Sequence, residues 1–337
     1  MRIFRLRQFG LEHLAADNDE PAQPGPGEIA VDVRALSLNY RDLLIIRGVY
    51  NPKLRLPAVP ISDGAGIVSA VGPGVTRVRV GDRVMTHFVA DWIDGPFRAE
   101  YTRSTLGIPG PGLAAERVVL PAEAVLPIPG GYDFAMAATL PIAALTAWSV
   151  LVNVAGVRPG QTIVTLGTGG VSIFALQIAK PLGARVIITS SSDEKLARAK
   201  ALGADHGVNY RTTPNWDARV IALTDGAGAD VIVENGGAGT LDASLRAARA
   251  GGTIGLLGAL TGLRGEVATG MILMKRLHIA GIMVDSRAAF ERLVEFIERT
   301  NLRPVIDRTF EFAELPDALR HLERGAHLGK VVVRVGD

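Results

Sequence analysis

The apolar positions fall into two textures. Before Pro129 they form short alternating runs broken by Pro and Gly. EIAVDVRAL (Glu28 to Leu36) reads as a strand, GAGIVSAVGPGV (Gly64 to Val75) as a strand and its turn, and VGDRVMTHF (Val80 to Phe88) as another strand. Short strands separated by PGPG, GPG and GD turns predict a twisted antiparallel barrel. At Pro129-Gly130-Gly131 the texture changes. Phe134 to Ala155, rich in Ala, Leu and Met, predicts a helix. The strand QTIVTLG, a helix over Val171 to Leu182, the strand ARVIITS and a helix over Asp193 to Leu202 follow. ADVIVEN is a further strand, Leu241 to Ala250 a helix, and TIGLLGA and LHIAGIMV are two more strands. Strands alternating with helices at this spacing imply βαβ units and a parallel sheet. The tail opens with a helix, Arg287 to Arg299, and closes with KVVVRV (Lys330 to Val335), a strand that needs a sheet. Its simplest home is the N-terminal barrel, which makes that domain discontinuous.

One turn in this pattern carries chemistry. An apolar strand ends at Leu166, Gly167-Thr168-Gly169-Gly170-Val171-Ser172 follows, and a helix begins at once. Glycines let the backbone turn tightly against a pyrophosphate, and the helix N-terminus offers unpaired N–H groups and a positive dipole end. The third glycine of G-x-G-x-x-G is replaced by Ser172, small enough to pack closely. The strand–turn–helix context marks a dinucleotide site, with Gly167, Thr168, Gly169, Gly170 and Val171 as cofactor-binding residues. The next strand ends at Thr189 and is followed by Ser190, Ser191 and Ser192 where an NAD-selective site places an acid for the ribose 2′-hydroxyl. Neutral hydroxyls with Lys195, and Tyr210 after the next short strand, suit a 2′-phosphate, which an aspartate would repel. NADP(H) is therefore the expected cofactor. Asn235-Gly236-Gly237 ends the ADVIVE strand and Gly258 ends TIGLLG. Strand carboxyl ends border the cofactor crevice, which makes Asn235 and Gly258 cofactor candidates.

Composition narrows the classes. The chain has 337 residues, 36 Lys+Arg against 34 Asp+Glu, and 5% aromatics. Two net positive charges without a basic, aromatic-laced cluster exclude a nucleic-acid footprint. There is no cysteine, so disulfides, thiolate nucleophiles and sulfur-ligated zinc are excluded. No charge-free apolar run reaches the length of a membrane span, and MRIFRLRQFG lacks the apolar region of a signal peptide. The expectation is a cytoplasmic protein with neither membrane nor nucleic-acid partners.

SLNYRDLLIIRGVY (Ser37 to Tyr50), PISDGAGIVSAVGPGVTRVRVGDRV (Pro60 to Val84), AATLPIAALTAW (Ala137 to Trp148), LGTGGVS, and SSSDEKLARAKALGADHGVNY (Ser190 to Tyr210) occur in this order. Together they resemble the medium-chain dehydrogenase/reductase superfamily, above all its zinc-free quinone-oxidoreductase-like and alcohol-dehydrogenase-like members. The resemblance implies an α/β protein: a Rossmann doubly wound parallel sheet over 129–284 and a discontinuous GroES-like β-barrel substrate domain over 1–128 and 285–337. It also implies a homodimer or homotetramer. Where zinc alcohol dehydrogenases keep their ligands this chain has Asn39, Ser62-Asp63 and Ile142. The cysteine-bearing structural zinc lobe is replaced by Val89 to Gly110, which is expected at the substrate mouth. The metal expectation is none.

Without a metal, hydrogen bonds must stabilise the charge that develops on the substrate oxygen. In similar reductases the tyrosine closing the RG-x-Y stretch, here Tyr50, serves as donor, and a phenol with a pKa near 10 is protonated at pH 7. Tyr40 is a second candidate. Asn39 resembles the residue that touches the nicotinamide ribose or the substrate, and Thr146 stands where the family places a threonine near the nicotinamide. Asp42 reads as a cap that holds the loop. The expected function is an NADPH-dependent, zinc-independent oxidoreductase acting on a carbonyl, quinone or activated C=C substrate; the alternative is a non-catalytic NADPH-binding sensor or structural protein.

Overall fold

The computed structural model describes residues 1–336 and divides into two compact units, one of Met1–Leu145 with 284–336, the other of Thr146–Met283. In the first unit β1 (Arg2–Leu6) and β2 (Leu14–Asn18) form an antiparallel hairpin. Then come β3 (Glu28–Ser37), α1 (Tyr40–Ile46), β4 (Asp63–Val71), β5 (Arg83–Thr86), β6 (Arg117–Pro121), β7 (Val125–Pro127) and α2 (Phe134–Ala138). The stretch after α2 is helical but irregular. Leu140–Ala144 and Ser149–Val154 are π-type, on either side of α3 (Leu145–Trp148). Pro141 has no N–H to donate and its ring crowds the preceding turn, so a wider turn replaces the single regular helix predicted for Phe134 to Ala155.

The second unit continues with β8 (Thr162–Thr165), α4 (Gly170–Ala179), β9 (Arg185–Ser190), α5 (Asp193–Ala201), β10 (His206–Asn209) and α6 (Trp216–Leu223). It ends with β11 (Ala229–Glu234), α7 (Ala238–Ala247), β12 (Ala248–Leu256), α8 (Thr269–Lys275) and β13 (His278–Gly281). The strands form one parallel sheet in the order β10-β9-β8-β11-β12-β13. That is the doubly wound Rossmann order, and it reverses between β8 and β11. Ligands bind such sheets outside the carboxyl ends at this switch point. Continuous apolar runs such as Ile163-Val164 and Val231-Ile232-Val233 are fully buried because helices cover both faces. The helix predicted to reach Ala250 stops at Ala247, since Ala248 already pairs with Ala229 in the sheet.

The chain returns to the first unit with α9 (Arg287–Thr300), β14 (Ile306–Glu311), α10 (Leu315–Glu323) and β15 (Lys330–Arg334). β15 pairs antiparallel with β3, Val332 opposite Ser37, so the tail does join the N-terminal sheet. That sheet runs β14-β15-β3-β4-β5-β7, with β6 also on β3. Register shifts in the β3–β4 pair, between Ala30/Val31 and Val33/Ala35, bend it around a core of Ile29, Leu36, Val68, Leu120 and Phe310. No helix among the described residues is long and apolar enough to cross a membrane.

Candidate functional site

In the first unit Asn39 stands at the N-terminus of α1. The loop that Asp42 was expected to cap is this short helix. Asp42 Oδ2 accepts the Asn39 backbone N–H at 2.8 Å, one half of a capping box. The Asn39 amide is held at both ends: Lys330 Nζ donates to its Oδ1 at 2.7 Å, and its Nδ2 donates to Asp63 Oδ2 at 2.8 Å. Lys330 Nζ also donates to Leu38 O at 2.7 Å, and the Ile142 N–H, in the first π-type segment, donates to Asp63 Oδ2 at 3.2 Å. Asp63 Oδ1 is buried without a partner. Ser62 Oγ donates to Asp42 Oδ1 at 3.1 Å and accepts from Arg41 at 2.5 Å.

This is a buried ionic cluster: Asp42 and Asp63 are wholly inaccessible and Lys330 is 3% exposed. Burial raises the carboxyl of Asp63 to about 7 against the pull of Lys330, raises that of Asp42, and lowers the Lys330 ammonium against the pull of both aspartates.

Arg41 links the cluster to Tyr50. Its guanidinium lies 4.5 Å from the Tyr50 ring centre and 4.8 Å from that of Phe88, and it also donates to Leu106 O and Ile108 O. Tyr50 is 44% exposed. Tyr40 lies elsewhere. It packs half-buried on the barrel core, and together with Glu323 it acts on Arg47, raising that guanidinium's pKa. Among the described residues no hydrogen bond joins Tyr40 to the Asn39 cluster. The segment Val89 to Gly110 is closed by its own aromatics: Trp92 stacks on Tyr101 at 5.9 Å and meets Phe97 edge-on at 5.2 Å. It is tied to α9 by Arg287 N–H to Trp92 O and Ala288 N–H to Ile93 O, both 2.9 Å.

The donors that replace the zinc ligands do not fit the metal. Zinc takes imidazole, thiolate or carboxylate ligands in a tetrahedral set. Here the Asn39 oxygen already carries an ammonium, the Ser62 hydroxyl lies between Arg41 and Asp42, and Ile142 offers only a backbone N–H. The one carboxylate of the set, Asp63, already accepts from Asn39 and Ile142. No group of three His, Cys, Asp or Glu side chains suited to a metal exists among the described residues.

In the second unit the predicted phosphate turn lies at the switch point. Gly167 has φ 77°, and a Cβ there would point into open space. Its N–H donates to Thr189 Oγ1 at 3.1 Å. Gly169 caps α4, Gly170 opens it and Val171 follows, while Thr168 is buried. Ser172 does more than pack closely: it donates to Leu166 O at 2.8 Å and accepts from Asn235 Nδ2 at 2.7 Å. Asn235 Nδ2 also donates to Leu166 O at 3.0 Å, so the Asn235 amide braces the turn across β8 and β11. Behind it lies Glu234, fully buried. It accepts the N–H groups of Gly236 and Gly237 at 2.7 and 3.0 Å and the hydroxyls of Thr240 and Ser244. Gly258 packs so tightly that a Cβ would come within 1.8 Å of Asn235 O.

Ser190 ends β9 and Ser191 follows it, Tyr210 follows β10 with its N–H on Ser190 O at 3.0 Å, and Lys195 lies in the first turn of α5, which Ser192 caps. All four therefore share one end of the sheet. Tyr210 is 42% exposed. Thr146 is buried in α3, one turn before Val150, which packs on Gly255 of β12.

Sequence reasoning missed three of these parts. Thr189 and Glu234 looked like ordinary strand residues. Lys330 opens an otherwise apolar strand, and that lone cation at the head of a valine run was the one signal in the sequence.

Two family models match the chain: an alcohol dehydrogenase GroES-like domain over residues 25–130 and a zinc-binding dehydrogenase domain over 170–299. A zinc-type alcohol dehydrogenase-like protein of Schizosaccharomyces pombe is 41% identical, covering 97% of this chain and 96% of its own length. A quinone oxidoreductase of Pseudomonas aeruginosa is 33% identical, with 96% of each covered. Among solved structures, a Sinorhizobium meliloti 1021 protein described as a candidate alcohol dehydrogenase superposes with a TM-score of 0.91 at 43% identity, covering 99% of this chain and 98% of its own. A structure described as an NAD-dependent alcohol dehydrogenase matches with a TM-score of 0.91 at 37% identity over 100% of both chains. A mycobacterial protein complexed with NADPH matches with a TM-score of 0.85 at 26% identity over 99% of both.

Proposed function

Because this chain belongs to the medium-chain dehydrogenase/reductase superfamily and is an alcohol dehydrogenase- and quinone oxidoreductase-like oxidoreductase, we propose the finer reading that it uses NADPH and works without zinc. The substrate is a small carbonyl, quinone or activated C=C compound. The substrate domain comes from the two chain ends and the nucleotide domain from the middle. The observation that carries the reading is the Lys330 ammonium on the Asn39 amide, where zinc relatives keep a ligand.

A nicotinamide cofactor, once bound, would supply the hydride chemistry, and the residues of this chain would hold and orient it. The N–H groups of the Gly167–Val171 turn and the N-terminus of α4 hold the pyrophosphate. Ser190, Ser191, Lys195 and Tyr210 hold the 2′-phosphate, and the absence of an acid at the end of β9 removes the repulsion that would reject it. Asn235 and Gly258 shape the crevice, Thr146 borders the nicotinamide, and Asn39 orients the ribose or the substrate. Tyr50 Oη–H donates to the substrate oxygen as negative charge develops there, and the Arg41 cation against its ring strengthens that donor. Tyr40 is engaged with Arg47 on the barrel core instead, with no hydrogen bond to the Asn39 cluster among the described residues, and is the weaker candidate. With no metal to acidify an alcohol, reduction is the favoured direction.

Replacing Tyr50 by Phe should lower kcat by about 10²-fold with NADPH binding unchanged. Lys195→Ala should lower the NADPH/NADH ratio of kcat/KM by about tenfold, the value of one charge-assisted contact. A native preference for NADH would overturn the cofactor assignment.

We extend the reading to a homodimer formed by the second unit. β13 is the edge strand of its sheet, and Leu260, Leu263, Leu273 and Met274 nearby are 52–82% exposed. An unpaired edge beside an apolar patch suits self-association about a two-fold axis. Light scattering should give twice the chain mass for the native protein and one chain mass for Leu273→Asp/Met274→Lys; a native monomer refutes the extension.

A further inference from the structure

We infer that Lys330 and Asp63 are positioning residues that hold the Asn39 side-chain amide in one orientation, with an ammonium on its oxygen and a carboxylate on its nitrogen. The inference rests on the reading that Asn39 meets the nicotinamide ribose or the substrate, and goes beyond it by naming what fixes Asn39.

An asparagine amide has an acceptor end and a donor end of nearly the same shape, so its orientation is decided by its partners. Here both partners are charged and of opposite kind. Lys330 Nζ donates to Oδ1 at 2.7 Å and Asp63 Oδ2 accepts from Nδ2 at 2.8 Å. Turning the amide over would set its NH2 against an ammonium and its oxygen against a carboxylate, two repulsive contacts in place of two charge-assisted bonds. The backbone of Asn39 is fixed separately, by its N–H on Asp42 Oδ2 at 2.8 Å.

The partners are themselves fixed. Lys330 starts β15, whose pairing with β3 sets its direction, and its second bond goes to Leu38 O. Asp63 starts β4 and takes the Ile142 N–H. None of these side chains has room to wander in the buried interior. What remains available on the amide is the second lone pair of Oδ1 and the second N–H of Nδ2, which among the described residues is engaged only by Ser37 O at a long 3.4 Å. A ligand therefore meets an acceptor and a donor at set places. A fold needing only stability could fill the same volume with apolar side chains at no loss. Burying one lysine and one aspartate against a single amide makes sense when the direction of that amide matters.

The test uses the full chain with Asn39→Ala, Lys330→Met, Asp63→Asn and the double variant N39A/K330M. NADPH and NADH are assayed with a quinone, an enone, an aldehyde and a ketone. Asn39→Ala and Lys330→Met should each lower kcat by about 10²-fold, the effect of misplacing a group at the reacting centre. NADPH affinity, read by fluorescence titration, should not follow. The double variant should be no slower than Asn39→Ala alone, because Lys330 acts through Asn39. In asparagine-selective 15N spectra the Asn39 side-chain resonances should shift in Lys330→Met and in Asp63→Asn, while those of Asn153 stay in place.

Losses that multiply in the double variant, or Asn39 resonances that do not move, would overturn the inference. Should Lys330→Met fail to fold, Asp63→Asn, which preserves volume, carries the same two readouts. Full activity in Asn39→Ala would remove the underlying reading of Asn39, and the spectra would still decide whether Lys330 and Asp63 orient it.

Discussion

Replacing Glu234 by Ala removes the acceptor at the carboxyl end of β11. Two backbone donors, the N–H groups of Gly236 and Gly237, and two hydroxyls, of Thr240 and Ser244, converge on this carboxylate. The hydroxyls can rotate to other acceptors, and Thr240 already has Gly237 O at 3.4 Å. The two N–H groups cannot, because the turn fixes their direction. A buried donor left without a partner costs about 1–3 kcal/mol, so two cost about 2–6 kcal/mol. That is a large part of the roughly 5–15 kcal/mol that holds a native domain together. At about 2–4 °C per kcal/mol for a domain of this size, Tm should fall by roughly 4–24 °C. Glu234→Gln keeps an oxygen where Oε1 accepts three of the bonds and loses only the charge, so its cost should be about 1 kcal/mol. Scanning calorimetry on the two variants reads the difference directly. Glu234→Ala within about 2 °C of wild type, or Glu234→Gln as damaging as Glu234→Ala, would refute the orphaned-donor reasoning.

Three further outcomes follow from the same physics. His87 is buried with Nε2 3.3 Å from Trp92 O, and burial pushes its pKa down to about 3. The unfolded chain takes up that proton near pH 6.5, so stability falls as pH drops below 6.5, and His87→Gln should flatten that decline in urea titrations at a series of pH values. Asp63 behaves with the opposite sign. Its carboxyl is raised to about 7 by burial, the native state keeps the proton longer, and stability should decline from pH 4 to pH 7; Asp63→Asn should remove that decline. Lys275 Nζ donates to Leu245 O, Arg246 O and Ala248 O at 2.7–2.9 Å, capping the negative end of α7. Lys275→Met should cost about 2–3 kcal/mol, seen as a lower urea midpoint with an unchanged slope.

The parts of the molecule that were legible in the sequence are those set by local periodicity. The buried strands of the parallel sheet and the glycine turn between β8 and α4 follow from apolar runs and from one strand–turn–helix junction. α1 went unread as a helix because it spans only Tyr40–Ile46 and owes its start to the Asn39–Asp42 contact. The hairpin β1–β2 and the strand β14 have weak alternation and exist through their partners. The candidate site divides the same way. The turn Gly167 to Val171 was readable because a strand–turn–helix junction is set by its local backbone, with Gly167 at φ 77° and Gly169 capping α4. Lys330 was not, because its partner Asn39 is 291 residues away, and only the return of β15 to β3 brings them together. Ser62, Asp63 and Ile142 were visible as departures from a metal-binding pattern. What they do instead, Asp63 accepting from Asn39 and Ile142 while Ser62 donates to Asp42, required the fold.

The most direct measurement of the central claim is oxidation of NADPH at 340 nm with a benzoquinone, an enone, an aldehyde and a ketone, each with and without a chelator. The account predicts turnover on at least one of these, faster with NADPH than with NADH and unchanged by the chelator. Activity lost on chelation and restored by zinc would contradict it, and NADPH binding with no turnover across the series would return the chain to the non-catalytic reading.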